Sequence, residues 1–363
     1  MLLTCQAGYE TMLARELLEL HGVASIEQGP GWVLARSAGN LPAPEGSGAF
    51  ERGQSDRATI GTVLPALAFP HLSLLAPVEV RGESVNALAA RVAEFLLGSI
   101  RQERIDAPWP NLWLAPAEIV GLGRRLTAVE AAFAEVLKKK LSRVAKLAVP
   151  DWPRGRAAGP GRGLFVFFAD FGRALVARDA FVHGARRMAD DDLAPSRSYL
   201  KVEEAYTVLG VEPRGGETVC DLGAAPGGWS YSAAKRGAHV LAIDNGPLKG
   251  GALSHPRIEH RREDAFRFAP PPAARFDWLF CDLVEEPHHV LRHIVEPWLA
   301  HRWCRRFVVN LKFGRVDPIA LLCELQAAAS PLIRSTKPPV RIRHLYHDRE
   351  EFTVVGETGE NCA

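Results

Sequence analysis

Short apolar runs alternate with amphipathic stretches along the first half of the chain. Apolar positions spaced three and four apart indicate helices, as in residues 9–21, where Met12, Leu13, Leu17 and Leu20 share one stripe. The predicted elements are strand 2–5, helix 9–21, strand 31–36, strand 72–80, helix 85–97, strand 112–120, helix 127–147 and a hairpin of strands 163–169 and 173–179. This order is typical of small α+β units.

The second half begins with a buried strand that runs into a glycine-rich turn. Residues 218–222 predict the strand, residues 230–236 a helix, and residues 239–244 a second strand that ends in an acid. The three form a βαβ unit with a ligand site at the carboxyl ends of its strands. The remaining predicted elements are a helix that begins near 196, strands 276–282 and 306–312, and a hairpin between 340 and 356.

The change of pattern between the halves predicts the domain organisation. A length of 363 residues allows two or three domains. We expect residues 1–65 and 66–185 to form two small α+β domains and residues 186–363 to form an α/β domain. A polar stretch at 40–57 predicts an exposed loop.

Charge is balanced overall but unevenly distributed. The 44 Lys and Arg nearly cancel the 42 Asp and Glu, giving +2, which excludes a uniformly basic nucleic-acid binder. Between 121 and 162, however, ten basic residues face three acidic ones, a local net of +7. Such a segment, with its Gly/Arg/Pro loop at 154–163, favours binding to a phosphate backbone. It also fits a solvated helix face beside a loop.

Composition excludes several further classes of protein and of binding site. The six cysteines form no Cys-x-x-Cys pair, so neither a zinc site nor a disulfide framework is expected, and no other cluster has metal-ligand spacing. No apolar run reaches the ~20 residues of a membrane span. We therefore expect a reduced cytoplasmic protein without a resident metal.

Three spaced acids around the glycine turn identify the expected ligand. Asp221 stands two residues before the first glycine of a G-x-x-x-G-G turn, where it repels a pyrophosphate but suits a cationic amino group. Asp244, at the end of the next strand, is placed to accept ribose hydroxyls, and Asp264 to accept an adenine amino group. This pattern fits S-adenosylmethionine (SAM) better than a nicotinamide dinucleotide, the alternative oxidoreductase ligand.

Two further strands end in charged residues. Asp282 closes the strand 276–282 and Lys312 the strand 306–312. A lysine at the end of a buried strand is unusual, because lysine is almost never fully buried unless paired. Asp282, at the equivalent end of a neighbouring strand, could pair with it; a surface lysine with its ammonium group in water is the alternative.

These residues resemble the Rossmann-fold 2′-O-ribose methyltransferases of the RrmJ/fibrillarin class, which carry a Lys-Asp-Lys-Glu tetrad. The resemblance covers roughly residues 190–360 and includes Leu-Gly-Ala-Ala-Pro-Gly-Gly-Trp-Ser. The matching tetrad positions are Lys201, Asp282, Lys312 and Glu351. Within the class the chain most resembles the RlmM family of large-subunit ribosomal RNA methyltransferases, through Ala194-Pro-Ser-Arg-Ser, Leu-Lys-Val-Glu-Glu-Ala, Cys-Asp-Leu-Val-Glu-Glu-Pro and Tyr346-His-Asp-Arg-Glu.

The resemblance implies a fold, a substrate and a partner. It implies a class I methyltransferase domain preceded by a ferredoxin-like region at 1–65 and a THUMP-type RNA-binding domain at 66–185. The implied substrate is a cytidine in the peptidyl-transferase region of 23S rRNA, as naked or precursor RNA. Two alternatives stay open: a 2′-O-methyltransferase of another RNA such as tRNA, and a catalytically inactive RNA-binding assembly factor.

The resemblance also implies roles for the site residues. Lys312 is expected to act as general base, which requires its pKa to fall; burial and Lys201 lower it, whereas Asp282 raises it, so the net sign stays open. Lys201 and Glu351 are expected to position the ribose. Ser196 is expected to contact SAM or to cap the helix that carries Lys201. The residues expected to bind the cofactor are Ser196, Ala225, Pro226, Gly227, Gly228, Trp229, Asp244, Asp264 and Asp282.

Overall fold

The computed structural model describes residues 1–36, 64–152, 158–271 and 273–359. The predicted loop at 40–57, and Arg154 and Arg156 of the predicted basic loop, lie outside the described residues. The chain divides into two compact units. The first comprises 1–65 and 70–183, and the second comprises 66–69 and 184–363.

The first unit is built on one mixed sheet. Its strands are β1 (Leu2–Thr4), β2 (Ser25–Gly29), β3 (Trp32–Ala35), β4 (Leu72–Leu75), β5 (Val78–Arg81), β6 (Trp109–Leu114), β7 (Ala148–Val149), β8 (Gly159–Phe168) and β9 (Arg173–Val182). Their order is β2-β3-β1-β4-β9-β8-β6-β7, with β5 also paired to β9. Because β1 pairs with both β3 and β4, the sheet continues across the predicted boundary at residue 65.

Helices of this unit bury the apolar stripes that their sequences carry. Its helices are α1 (Glu10–Arg15, continued by a π-helical turn at Glu16–Leu20), α2 (Val85–Ser99), α3 (Leu122–Lys140) and α4 (Ser142–Lys146). One core cluster joins Leu88, Val92 and Leu96 of α2 to Val129 and Phe133 of α3. These positions recur every four residues, which places them on one helical face against β8 and β9.

Several predicted bounds in the first unit were wrong. The predicted strand 72–80 is two strands, interrupted at Ala76, whose φ is +44°. The predicted helix 127–147 begins earlier, after Gly121, and is broken at Leu141, whose extended φ of −142° ends α3. The predicted strand 112–120 is instead β6, shifted to Trp109–Leu114 because that segment pairs with β7 and β8. The hairpin between β8 and β9 is confirmed.

The second unit is a Rossmann-like α/β fold. Its strands are β10 (Thr218–Leu222), β11 (His239–Ile243), β12 (Ile258–Arg261), β13 (Phe276–Cys281), β14 (Cys304–Lys312), β15 (Thr336–Arg343) and β16 (Glu351–Thr358). Their order is β12-β11-β10-β13-β14-β16-β15. The first five are parallel and β15 and β16 run antiparallel, so the carboxyl ends of β10 to β14 share one edge.

Helices of the second unit connect the strands. They are α5 (Tyr199–Leu209), α6 (Gly228–Ala234), α7 (Pro287–Val290, continued by a π-helical turn at Leu291–Val295), α8 (Glu296–Ala300), α9 (Pro318–Gln326) and α10 (Pro331–Arg334). A buried cluster of Val202, Trp229, Trp278, Phe280 and Val308 holds α5 and α6 against the sheet. No helix among the described residues is long and apolar enough to cross a membrane.

Candidate active site

The structure brings the four predicted tetrad residues together at the carboxyl edge of the second sheet. Lys312 is the last residue of β14, and Asp282 directly follows β13. Glu351 begins β16 and pairs in register with Lys312, because β16 runs antiparallel to β14. Lys201 lies near the start of α5. Four separate elements therefore deliver two cations and two carboxylates to one place.

Glu351 bridges the two lysines. Its Oε1 lies 2.6 Å from Nζ of Lys201, and its Oε2 lies 2.5 Å from Nζ of Lys312. Asp282 contacts the same ammonium groups, with Oδ1 3.0 Å from Nζ of Lys312 and Oδ2 3.8 Å from Nζ of Lys201. The result is an alternating ring of charges that holds each ammonium group between two carboxylates.

Burial differs across this ring. The side chain of Glu351 is 3% exposed, whereas that of Lys312 is 24% exposed and that of Asp282 is 16% exposed. A substrate can therefore reach Lys312 from solvent, while the buried Glu351 holds the Lys312 ammonium group from the protein interior. The backbone N–H of Arg349 donates to Oε1 of Glu351 at 3.2 Å and helps to hold it there.

The structure gives the direction in which the pKa of Lys312 is shifted. Burial disfavours its charged form, but Asp282 and Glu351 outweigh burial, so the pKa of Lys312 is raised above its ordinary value. For Glu351, burial alone would raise the pKa, but Lys201 and Lys312 reverse the effect and lower it. The ring therefore holds a charged Lys312 and a charged Glu351.

Three residues that the sequence did not single out extend the ring inward. Asn310 donates from Nδ2 to Oδ1 of Asp282 at 3.2 Å. Thr353 lies 2.7 Å from Oδ1 of Asn310, and its hydroxyl also lies 2.9 Å from Oδ2 of Asp348. The signal was alternation along paired strands: Asn310 and Thr353 each stand two residues from a tetrad position and pair with each other in register.

The glycine-rich turn joins β10 to α6 beside the tetrad. Asp221 is buried at 1% exposure and accepts a hydrogen bond from the Ser230 hydroxyl at 2.6 Å. Burial raises its pKa to about 7, although the Ser230 bond opposes the shift. Gly223 and Gly227 adopt φ values of +79° and +106°, which an L side chain rarely adopts. The conformation of the turn therefore depends on glycine at both positions.

Asp244 organises the outer side of this turn. Its Oδ2 accepts the N–H of Ala225 at 2.9 Å, and its Oδ1 accepts the N–H of Gly246 at 2.7 Å. Each carboxylate oxygen has a second lone pair, so Asp244 can still accept a pair of ribose hydroxyls. Pro226 ties the turn to the following segment, because its carbonyl accepts the N–H of Lys249 at 2.9 Å.

Ser196, Gly228 and Trp229 meet on the other side of the turn. The Ser196 hydroxyl lies 2.7 Å from that of Ser198, and a Cβ added to Gly228 would stand 3.0 Å from both hydroxyl oxygens. Trp229 is 3% exposed, and its indole N–H donates to the Ser198 carbonyl at 2.9 Å. The Trp229 ring is therefore part of the core that fixes the start of α5.

Asp264 lies farther along the same edge of the sheet. It borders a cavity of about 550 Å³ that Asn245, Arg262, Glu263, Asp264, Arg267 and Phe268 line. Its Oδ1 accepts the N–H of Phe266 at 2.9 Å. Asn245, which lines the cavity, directly follows Asp244, so the cavity extends from beside Asp244 to Asp264.

The donor set fits SAM. Two acids follow one another along the carboxyl edge, a polar cavity lies beyond them, and the tetrad stands at the other end of the glycine turn. A cationic amino acid with a ribose and a base needs such a set of carboxylates and backbone N–H groups. Among the described residues, no cluster of three or more His, Cys, Asp or Glu side chains could hold a metal ion.

The fold and site define a Rossmann-like methyltransferase domain, and the FtsJ-like methyltransferase family model matches residues 194–345. The chain is 32% identical over 367 residues to ribosomal RNA large subunit methyltransferase M of Halorhodospira halophila, covering 97% of this chain and 95% of the relative. It is 33% identical over 384 residues to the enzyme of the same name from Chromohalobacter salexigens, covering 97% and 96%. The chain belongs to the ribosomal RNA large subunit methyltransferase M family, and its cofactor is SAM.

A more local similarity falls on part of the chain. The relative of the same name from Marinomonas sp. is 40% identical over 188 residues, which cover 49% of this chain and 52% of that one.

The family model and the relatives that match nearly the whole chain confirm the predicted family, the fold class and the cofactor. The ferredoxin-like and THUMP-type labels of the first unit, and the roles of individual site residues, stay predictions.

Proposed function

We propose that this chain methylates the 2′-hydroxyl of a cytidine in the peptidyl-transferase region of 23S rRNA. The observation that carries the proposal is the ring of Lys201, Asp282, Lys312 and Glu351 at the end of the cofactor turn. A ribose hydroxyl is a poor nucleophile, so its methylation needs a group that takes its proton. The names of the relatives indicate that the substrate is the RNA of the large ribosomal subunit.

Lys312 is our candidate for that group. It is the lysine of the ring with the more exposed side chain, 24% against 13% for Lys201. Its raised pKa means that it must lose a proton before it can accept one. SAM supplies an electrophilic methyl group on a sulfonium ion. A cationic cofactor held in the adjoining glycine-rich turn would lower the pKa of Lys312 and favour that loss.

Lys201 and Glu351 position the acceptor. Glu351 fixes both ammonium groups, and Lys201 retains N–H donors that can hold the ribose or its phosphate. Asp282 orients Lys312 from the side of β13. The chief contribution of these residues is to hold the hydroxyl oxygen in line with the methyl group, because correct orientation removes much of the entropic barrier.

The cofactor residues are assigned from their places along the turn. We assign the ribose to Asp244, the adenine to Asp264 and its cavity, and the methionine end to Ala225, Pro226, Gly227, Gly228 and Ser196. Trp229 acts from the core, by holding Ser198 and the start of α5. Asp282 borders both cofactor and acceptor. We expect the enzyme to act in the cytoplasm, on naked or precursor RNA rather than on an assembled subunit.

Transfer of a tritiated methyl group from SAM tests the proposal. The acceptors are naked 23S rRNA, assembled large subunits and bulk tRNA, each with wild type and with Lys312→Ala, and 2′-O-methylation is mapped on the product. We expect wild type to label naked 23S rRNA at one cytidine. Labelling of tRNA alone would replace the substrate. Lack of SAM binding by calorimetry would instead favour an inactive RNA-binding factor.

A further inference from the structure

A buried chain of polar groups runs inward from Asp282. Asn310 donates from Nδ2 to Oδ1 of Asp282, and Thr353 lies against Oδ1 of Asn310 at 2.7 Å. Beyond Thr353 stands Asp348, whose Oδ1 and Oδ2 lie 3.1 and 2.9 Å from the Thr353 hydroxyl. Asn310, Thr353 and Asp348 are each at most 1% exposed.

The direction of each hydrogen bond in this chain can be worked out from Asp282. A carboxylate only accepts, so Asn310 must present its N–H₂ group to Asp282 and its carbonyl oxygen to Thr353. That oxygen also only accepts, so Thr353 must donate its single proton to Asn310. The Thr353 hydroxyl then has no proton left for Asp348, and it can only accept from that side.

Asp348 can complete the chain in one protonation state. The Leu345 N–H donates to its Oδ2 at 2.9 Å, which leaves Oδ1 to carry a proton and donate it to Thr353. An ionised Asp348 would either face the Thr353 oxygen without a proton between them or take the Thr353 proton away from Asn310. An unmatched buried polar contact of this kind is costly.

We propose that Asp348 is a positioning residue that carries a proton in the working enzyme and, through Thr353 and Asn310, orients Asp282 toward Lys312. The inference rests on the proposed function, because the orientation matters only if Lys312 acts on the hydroxyl. It adds to the tetrad three buried residues and one required protonation state.

The charges around Asp348 agree with this state. Burial and the nearby Glu351 together raise the pKa of Asp348 to about 8, against the opposing effect of Lys201. Glu204, fully buried on α5, also interacts with Asp348, which helps burial to raise the pKa of Glu204 well above its ordinary value. Lys201 is a cation that opposes the proton on Asp348.

Variants of Thr353 test the chain of hydrogen bonds from Asp348 to Asp282. Thr353→Val keeps the shape but removes the hydroxyl, and we expect turnover to fall about 10- to 100-fold with the KM for SAM within about twofold, because a small misplacement is costly. Thr353→Ser should retain most of the turnover. Thr358→Val is the matched control, since its hydroxyl bonds Cys304 and Arg305 carbonyls at the other end of β16. Equal turnover of Thr353→Val and wild type would overturn the proposal.

Variants of Asp348 test the proton. An Asn side chain can donate to Thr353 and accept from Leu345 at every pH, so Asp348→Asn should keep turnover within about threefold of wild type, whereas Asp348→Ala should not. The turnover of wild type relative to that of Asp348→Asn should decline above about pH 8, because Asp348 ionises only in wild type while Lys312 titrates in both. Equal losses in both variants, or a shared decline, would contradict the inference.

Thermal melting separates this inference from the proposed function. The unfolded chain ionises an aspartate near its ordinary pKa of about 4. The folded chain keeps the Asp348 proton to about pH 8, so stability falls between these values and then levels off. The melting temperature of Asp348→Asn should exceed that of wild type increasingly over this range. A pH-independent difference would overturn the protonation. If the difference in melting temperature widens over this pH range but wild type methylates no RNA, Asp348 carries the proton, and the proposed function and the positioning role are both wrong.

Discussion

Lys312 and Glu351 face each other in register across β14 and β16, and Nζ of Lys312 lies 2.5 Å from Oε2 of Glu351. The antiparallel return of β16 creates this pair, because it brings the first residue of one strand to the last residue of another. Glu351 is nearly buried and Lys312 is not. The pair therefore fixes the ammonium group from the interior while leaving it open to a substrate.

Replacing Lys312 with Ala should reduce methyl transfer at least about 100-fold, because the hydroxyl would lose its proton acceptor. SAM affinity should stay within about threefold, since the cofactor turn holds its own hydrogen bonds. Single-turnover transfer and calorimetry measure the two quantities. Lys337→Ala, on the exposed start of β15, is the control and should behave as wild type. Turnover within threefold of wild type in Lys312→Ala would remove Lys312 from the proposed role.

Replacing Glu351 with Gln should move the rising limb of the pH–rate profile to lower pH. Glu351 helps to raise the pKa of Lys312, so loss of its charge lowers that pKa and makes the free amine available earlier. The maximal rate should fall, because Lys201 and Lys312 lose a shared anchor. A rate that instead decreases with pH from pH 6 upward in wild type would mean that Lys312 serves as a proton donor.

The residue pattern predicts the positions of Asp282 and Lys312, and the family resemblance adds Lys201 and Glu351, but neither predicts the residues that support the tetrad. Asp282 and Lys312 end apolar runs on neighbouring strands, so alternation and strand order place them at one edge. Asn310 and Thr353 meet only because β14 and β16 pair in one register, and register depends on contacts that no single run of residues contains. The sign of the Lys312 shift likewise needed the distances to both carboxylates.

The errors in the first unit differ in how much local signal the sequence carried. The break at Ala76 directly precedes Pro77, which has no N–H to donate to a neighbouring strand, so the sequence did contain a signal for it. The two flanking strands pair with separate parts of β9. The end of α3 at Leu141 has no Gly or Pro to signal it, and the apolar pattern by itself favours one longer helix.

Replacing Gly227 with Ala should weaken SAM binding at least about tenfold. Its φ is +106°, and an added Cβ would stand 2.5 Å from the Cβ of Ala252, so the turn must shift. Gly216→Ala is the matched control: its φ is also positive at +86°, but no atom lies within 4 Å of the added Cβ. Gly216→Ala should lower the melting temperature by a few degrees without changing SAM affinity. Equal SAM affinity in the two variants would show that the turn does not contact the cofactor.

Neutralising Lys138, Lys139 and Lys140 should flatten the salt dependence of RNA binding. The three lysines are exposed at the end of α3, within the segment of local net charge +7. Each phosphate contact contributes a slope of about −0.7 in log K against log salt for single strands, so the triple Gln variant should reduce the slope by up to about 2. Filter binding of 23S rRNA fragments between about 50 and 200 mM salt measures it. Arg305→Gln, at the amino end of β14 away from the tetrad, is the single-charge control and should leave the slope unchanged. If the triple variant kept the wild-type slope, α3 would be a solvated face and the RNA would bind elsewhere.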